Sequence, residues 1–146
     1  MHRNGLHQVP VIAVETEGAA SFSMSVQAGR LVTLPAITSI ATTLGAKTVA
    51  LAALDWATKH EIACVTVTDT QAVAACLAFA NDMRTLVEPA CGASLAVVYE
   101  NHPAVRRFKR PLVVVCGGIG VDLVKLAGWK NQFMLAPPPQ HPLQET

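Results

Sequence analysis

Three stretches of the chain are almost continuously apolar and have the length of strands. They cover residues 9–15, 62–67 and 111–116, and each is rich in valine or isoleucine. A strand with one solvated face would show alternating polar positions, whereas a strand covered on both faces has the pattern seen here. Because strands of the second kind are typical of parallel sheets, the three stretches are predicted as buried strands of a mostly parallel sheet.

Helical segments separate these strands. Apolar residues spaced by three or four positions, capping residues and glycine stops predict six of them. They cover residues 22–28, 37–44, 48–60, 73–80, 90–101 and 121–130. Gly29 and Gly45 end the first two helices. Residues 68–70 cap the helix at 73–80, and Pro89 precedes the helix at 90–101. Strands that alternate with helices indicate an α/β fold. Three strands are few for such a sheet, which suggests that the chain is part of a larger fold.

The low proportion of charged residues also suggests that the chain is part of a larger fold or assembly. Of the 146 residues, 51% are hydrophobic and 14% are charged, whereas an ordinary soluble domain carries about 25% charged residues. A chain of this length can bury enough surface for one domain. We therefore expect its excess apolar surface to be covered by a second subunit or by a further part of a larger fold.

Charge and segment length exclude several classes of function. The net charge is +1, and the basic residues cluster only within residues 106–110, which does not indicate a nucleic-acid partner. The apolar runs are far shorter than the roughly 18 residues of a membrane span, and no secretory signal is recognised near residue 1. The four cysteines lack the spacing of zinc sites or disulfide frameworks. The expectation is a cytoplasmic protein with reduced thiols and no membrane partner.

Two places along the chain carry candidate chemistry. Cys116, Gly117 and Gly118 follow the third predicted strand and precede a helix, which is where open α/β sheets bind ligands. A glycine pair at this position is a weak signal, so Cys116 is a buried thiol, a ligand contact or a nucleophile. Glu15 ends the first predicted strand, where an ionised carboxylate needs a partner or a cation. Glu88 is interpreted as a residue that favours the start of the fifth helix through its charge.

Five sequence blocks together carry a resemblance to a known family. They cover residues 14–19, 29–39, 44–49, 86–95 and 113–118, and the last two read LVEPACGASL and VVVCGG. In this order and spacing they resemble the L-serine dehydratases, also called L-serine ammonia-lyases, which are pyridoxal-phosphate enzymes of fold type II, the tryptophan synthase β group. The resemblance covers residues 5 to about 130. It implies the C-terminal part of a three-layer, open parallel sheet, with residues 1–130 in the large domain and a proline-rich tail at 131–146, which is expected to be disordered.

The resemblance also implies roles for individual residues. The thiol of Cys116 would face the pyridine nitrogen of pyridoxal 5'-phosphate, and Gly117 and Gly118 would form the turn beside the ring. The carboxylate of Glu15 would bind a monovalent cation, normally potassium. Ala19 and the backbone carbonyls of Thr43, Leu44 and Ala46 match the other positions of the family's cation site. The implied reaction converts L-serine to pyruvate and ammonia, with L-threonine as a second candidate substrate and a homodimer as the assembly.

Other family features lie upstream of the block that begins near Gly5. These are the Schiff-base lysine, an asparagine-containing segment and a tetraglycine phosphate loop, and Lys47, the first lysine, belongs to a different motif. We therefore expect no catalytic residue in this chain and no activity from it alone. The alternative is a non-catalytic binding or regulatory protein that keeps the cation site and the dimer surface. A nucleotide-binding module built on residues 116–120 is a third interpretation, disfavoured because no acidic residue follows at the distance that would hold a ribose.

Overall fold

Two parallel strands form the sheet of the computed structural model, which describes residues 1–136. Strand β1 covers Val11–Thr16 and strand β2 covers Ile62–Val67, with a register that runs from Val11 opposite Ile62 to Thr16 opposite Val67. These bounds confirm the first two predicted strands. Because the strands are parallel and in register, their carboxyl ends lie side by side, and the loops that follow them meet at one edge of the sheet.

Six α-helices accompany the two strands in the described residues. They are α1 Ser21–Ala28, α2 Leu51–Lys59, α3 Asp69–Met83, α4 Pro89–Tyr99, α5 Pro103–Arg106 and α6 Leu123–Gln132. Gly29 ends α1 in the left-handed conformation with φ of 62°, as expected for a helix-terminating glycine. Thr68 opens α3 through a reciprocal capping box with Gln71, and Pro89 takes the first position of α4. None of these helices is long and apolar enough to cross a membrane.

Helix α4 lies at the centre of the packing. It is apolar on all sides and packs against the sheet and against α3, which also contacts α6. Gly92 allows α3 and α4 to approach closely, because a methyl group there would overlap the carbonyl oxygen of Ala72 and the sulfur of Cys76. The core around α4 is built from small and β-branched side chains: Val65, Val67, Ala72, Ala75, Cys76, Val87, Cys91, Ala93 and Ala96.

The third predicted strand does not form in the described residues. Residues 111–116 pair with no strand, and Leu112 and Val114 are 92% and 71% exposed. The apolar pattern was interpreted as a buried strand, but a strand also needs a neighbour that accepts and donates its backbone hydrogen bonds. Along residues 111–116 the described chain supplies no such neighbour, and the first backbone bond after them joins Gly117 to Glu88.

The helix predicted over residues 37–44 is also wrong. Only Thr42–Leu44 form a 3-10 turn, and Gly45 has φ of −72° instead of a left-handed conformation. The backbone before the turn is held by side chains: Ile40 donates its N–H to Asp69, and Ala41 donates to the Ser39 hydroxyl. At the other end of the chain, α6 extends two residues past the predicted boundary at 130. The predicted tail from 137 onward lies outside the described residues.

Candidate active site

The carboxylate of Glu15 lies at the start of helix α1. Its two oxygens accept the N–H groups of Phe22 and Ser23 at 2.9 and 2.8 Å. Those amides belong to the first turn of the helix, where no intrahelical partner exists and where the helix dipole favours negative charge. The partner that the sequence analysis required for this carboxylate is therefore the α1 N-terminus.

The other predicted cation ligands lie in the turns that follow. Ala19 is fully buried in the 3-10 turn Glu17–Ala19. Thr43 and Leu44 belong to the turn Thr42–Leu44, and the Leu44 carbonyl accepts the N–H of Ala46 at 2.8 Å. Thr43 and Ala46 are exposed, and Leu44 is half-buried. Within residues 1–136 no three His, Cys, Asp or Glu side chains gather as a metal site, so the donors here are a carboxylate and backbone carbonyls.

A chain of buried polar groups links the carboxyl ends of the two strands. The Thr16 hydroxyl donates to the Ser39 oxygen at 2.7 Å, and the Ser39 hydroxyl donates to Asp69. The second oxygen of Asp69 accepts the N–H of Ile40 at 3.0 Å. From its sequence position, Asp69 is predicted only as part of the cap at the start of α3. The signal that was missed is that Thr16 ends β1 and Asp69 follows β2, so both lie at the edge where parallel strands converge.

Cys116, Gly117 and Gly118 lie along the segment that leads into α4. Glu88 donates its N–H to the Gly117 carbonyl at 3.3 Å. Gly118 lies so close to this segment that a Cβ there would be 2.6 Å from the Leu86 oxygen. Gly117 has φ of 110°, which only glycine adopts readily, and the space beside its Cα is open. Cys116 is an exposed residue at the end of the apolar run instead of a buried one, and its side chain makes a hydrogen bond with Cys91.

Two further thiols lie under this loop. Cys91 is fully buried in the first turn of α4 and interacts with both Cys116 and Gly117. Burial raises the pKa of Cys91, and hydrogen bonds from the Cys116 and Gly117 backbone partly offset this increase. Burial also raises the pKa of Cys76 to about 12, with a smaller contribution from Cys91. Cys76 and Cys91 are therefore packing residues that support the loop from below. The sequence analysis missed the role of Cys91, although its position just after Pro89 placed it near the loop.

Glu88 supports the start of α4 through its backbone. Its carbonyl accepts the N–H groups of Cys91 and Gly92, both at 2.9 Å, and its side chain makes no capping hydrogen bond. The carboxylate lies against Gly120, where an added Cβ would be 2.8 Å from one of its oxygens. Both the backbone and the side chain of Glu88 therefore face the glycine-rich loop.

Comparisons with known proteins show the family and the fold of the chain. The family model for pyridoxal-phosphate dependent enzymes matches residues 2–117. The Bos taurus protein "L-serine dehydratase/L-threonine deaminase" is 46% identical over 137 residues, which cover 88% of this chain and 42% of the relative. The crystal structure of a fungal L-serine ammonia-lyase from Rhizomucor miehei superposes with a TM-score of 0.86 at 33% identity, and the match covers 91% of this chain and 44% of that one.

A more distant structure has the same fold. Maize serine racemase superposes with a TM-score of 0.73 at 24% identity over 91% of this chain. The chain spans about two-fifths of the length of the curated relatives it matches. The resemblance inferred from the five sequence blocks is thus confirmed, as is the α/β class with a parallel sheet: this chain belongs to the pyridoxal-phosphate dependent enzyme family and has the fold of its type II members.

Proposed function

We propose that this chain forms the cofactor-ring side of a pyridoxal-phosphate dependent ammonia-lyase that acts on L-serine, with L-threonine as a second substrate. The proposal rests above all on the 46% identity to the bovine protein named for both reactions. In the net reaction, L-serine yields pyruvate and ammonium: the hydroxyl group leaves as water in the β-elimination, and hydrolysis of the resulting imine takes up one water and releases the amino group. Turnover requires the remainder of a longer polypeptide, because the matched relatives extend well beyond the length of this chain.

The loop after residue 115 fits a flat cofactor ring. Cys116 is an exposed residue, and the space beside Gly117 is open where any other residue would carry a side chain. Cys116 would hold the ring nitrogen through its thiol, while Gly117 and Gly118 would lie beside the ring. When bound, pyridoxal phosphate withdraws electrons from the α-carbon of the amino acid and so makes its proton acidic.

The surrounding residues keep this loop in position. The hydrogen bond from Glu88 to Gly117 and the contact of Gly118 with Leu86 fix the loop on the start of α4. Cys91 fills the space below it. Lys47 does not contribute to this site, because its amine is exposed and donates to the Pro35 carbonyl at 3.1 Å. As the resemblance implies, the lysine that carries the cofactor is assigned to the remainder of the polypeptide.

A potassium ion is the second proposed cofactor. The carboxylate of Glu15 and the carbonyls of Ala19, Thr43, Leu44 and Ala46 are hard oxygen donors of the kind that alkali and alkaline-earth cations take. Potassium is expected to raise the melting temperature relative to sodium at equal ionic strength, and Glu15→Gln is expected to remove the difference. Glu17→Gln is the matched control, because Glu17 lies on the same loop but outside the proposed ligand set. An equal effect of the two salts on the unsubstituted protein would contradict the proposal.

A chimera tests the enzymatic function directly. In it, this chain replaces the matched two-fifths of the bovine relative, and pyruvate formation from L-serine is measured beside 2-oxobutanoate formation from L-threonine. The chimera is expected to turn over both substrates as a homodimer, and the 146-residue chain alone is expected to form no product. Cys116→Ala is expected to lower the rate in the chimera and to shift the absorbance of the bound cofactor.

Two results would overturn the proposal. A chimera that binds pyridoxal phosphate but forms neither product would favour the non-catalytic interpretation. Turnover by the isolated 146-residue chain would show that the reaction needs no further polypeptide. Cofactor absorbance establishes in both cases that the protein under test is folded and loaded.

A further inference from the structure

Cys91 and Cys116 are two thiols from distant parts of the sequence that touch each other. Cys91 is fully buried in the first turn of α4, and Cys116 is an exposed residue of the glycine-rich loop. The thiol of Cys91 donates a hydrogen bond to the sulfur of Cys116. One member of the pair therefore lies in the core and the other at the surface, with direct contact between them.

The backbone holds this contact in place. The sulfur of Cys91 also accepts the backbone N–H groups of Cys116 and Gly117. Since the Cα of Cys116 lies between those two N–H groups along the chain, its side chain starts beside the Cys91 sulfur. Glu88, in the turn before Cys91, donates its N–H to the Gly117 carbonyl at 3.3 Å. These bonds keep Cys116 against the start of α4.

The other two cysteines are less suited to oxidation. Cys76 is fully buried between α3 and α4, where burial raises the pKa of its thiol to about 12. Cys64 is half-buried on β2. Oxidants react with thiolates that solvent reaches, so oxidation is expected to begin at Cys116, and Cys91 is the thiol in contact with it.

We propose that Cys116 and Cys91 are a modification site at which a hydroperoxide forms a reversible disulfide. In the first step the sulfur of Cys116 takes one oxygen atom from hydrogen peroxide, the O–O bond breaks, and a sulfenic acid and water form. In the second step the sulfur of Cys91 bonds to that of Cys116 and displaces the hydroxyl group, which leaves as water with the thiol proton of Cys91. The two sulfurs are oxidised, and the peroxide is reduced to two waters.

Closing the disulfide requires a movement of the loop. The sulfurs of a disulfide lie about 2.05 Å apart, closer than two hydrogen-bonded thiols. Cys91 is fixed in the packed first turn of α4, whereas residues 111–116 pair with no strand in the described chain. The movement therefore falls on Cys116, whose sulfur would be drawn towards α4.

The disulfide would regulate the cofactor site, and this consequence rests on the proposed function. A Cys116 sulfur that is bonded to Cys91 has no thiol left to hold the ring nitrogen. A bound ring would in turn cover the same sulfur, so the cofactor and the hydroperoxide would compete for Cys116. Oxidation would thus act on the cofactor-free protein and block loading until a thiol reductant breaks the disulfide.

Peptide mapping of the 146-residue chain tests the pairing. Trypsin places Cys91 on residues 85–106, Cys116 on residues 110–125 and the other two cysteines together on residues 60–84. After hydrogen peroxide treatment of the reduced chain, we expect the intact mass to fall by two hydrogen atoms. Without reductant, residues 85–106 should then remain linked to residues 110–125. Dithiothreitol is expected to restore the original mass and separate the two peptides.

Three serine variants identify the members of the pair. Cys116→Ser, at an exposed position, is expected to keep the circular dichroism of the chain and lose the crosslink. Cys91→Ser leaves no thiol to capture the sulfenic acid, so Cys116 is expected to gain two or three oxygen atoms instead. If Cys91→Ser fails to fold, Cys116→Ser decides the question. Cys64→Ser is the matched control, because it removes a thiol outside the pair and is expected to keep the crosslink.

Two mapping results would overturn the proposal. One is a crosslink that joins residues 85–106 to residues 60–84, which would assign the reactive contact to a different thiol. The other is an unsubstituted chain that gains oxygen atoms at Cys116 without forming a crosslink, which would show that the Cys91 thiol does not reach the sulfenic acid.

The chimera separates the disulfide from the lyase function. Oxidised before loading, it is expected to bind pyridoxal phosphate at least about tenfold more weakly than the reduced chimera, because the ring loses one hydrogen bond. Loaded before oxidation, it is expected to resist the crosslink. A crosslinked chimera with unchanged cofactor affinity would overturn the regulatory consequence. A reduced, loaded chimera that forms neither product would overturn the lyase function and retain the disulfide, which is measured on the chain alone.

Discussion

Helix α4 and the segment from residue 111 to 124 are both strongly apolar, yet they have opposite surroundings. Eight of the eleven residues of α4 are buried. In the later segment, Leu112, Val114, Ile119, Leu123 and Val124 are each more than 70% exposed. The two regions differ in their neighbours: α4 contacts the sheet, α3 and α5, whereas residues 111–114 line a cavity of about 370 Å³. An apolar pattern indicates that a segment favours burial. Whether the segment is buried depends on the elements that pack against it.

Thiol reactivity is expected to separate the two regions most strongly. Cys116 lies in the open region and Cys76 in the α3–α4 contact, where burial raises the pKa of its thiol to about 12 from an ordinary value of 9.0. Only the thiolate reacts, so this shift alone lowers the reactive fraction of Cys76 about 1,000-fold, and burial lowers access further. Labelling with a maleimide followed by intact mass is expected to modify Cys116 first.

Cys116→Ser provides the control for this assignment. The variant is expected to lose the fast labelling phase. Half-buried Cys64 on β2 would then label at an intermediate rate, and labelling of Cys76 and Cys91 should accelerate only when denaturant opens the α3–α4 contact. Labelling of Cys76 at the rate of Cys116 in the native chain would show that the α4 region is as open as the segment after residue 111.

Two glycine substitutions test the packing of the same regions. Gly92→Ala is expected to destabilise the chain by about 3 kcal/mol, because its methyl group would overlap Ala72 and Cys76 across a tight helix contact. Gly128 lies in α6 with no atom within 4 Å of an added Cβ. Gly128→Ala is therefore expected to be neutral or to stabilise by up to about 1 kcal/mol, since alanine favours helix. Urea unfolding followed by circular dichroism measures both. Equal effects of the two substitutions would mean that Gly92 is not closely packed.

Removal of the Ser39 hydroxyl is expected to cost about 2 kcal/mol. It would leave the Thr16 hydroxyl, the Ala41 N–H and one oxygen of Asp69 without their partner at a largely buried site. The comparison is Thr48→Ala, which breaks an exposed hydroxyl pair with Thr33 of the same 2.7 Å length and is expected to change stability by less than about 0.5 kcal/mol. Thermal unfolding of the two variants gives the difference. A loss below 0.5 kcal/mol for Ser39→Ala would show that water replaces the hydroxyl.

The features that were predictable from the sequence are those set by local rules. Strand β2, the αL glycine at Gly29, the cap at Thr68 and the proline start at Pro89 depend on residues within a few positions of one another. The Thr16, Ser39 and Asp69 chain was missed because its members are 23 and 30 residues apart and no local pattern joins them. The strand at 111–116 was predicted from a correct apolar signal, but pairing is a property of neighbours that lie elsewhere in the fold.

Loss of a helix cap is expected to be the smallest effect and the sharpest comparison of the two regions. Thr68 caps α3 in the packed region by accepting the Gln71 N–H at 3.2 Å, and Asp122 caps α6 in the open region by accepting the Lys125 N–H at 2.7 Å. Thr68→Ala is expected to lower the global unfolding free energy by about 1 kcal/mol, because α3 cannot fray without disturbing α4.

Asp122→Ala removes a shorter hydrogen bond but should leave global unfolding nearly unchanged. Residues 123–125 at the start of α6 are exposed, and the helix packs on the core through buried Leu126 and half-buried Trp129, so its first residues can open locally while the core stays folded. Hydrogen exchange at Lys125 is therefore expected to accelerate, while exchange in α4 stays constant. Equal acceleration of exchange in α4 by Asp122→Ala and by Thr68→Ala would show that α6 belongs to the cooperative core. The open region would then comprise residues 111–120 alone.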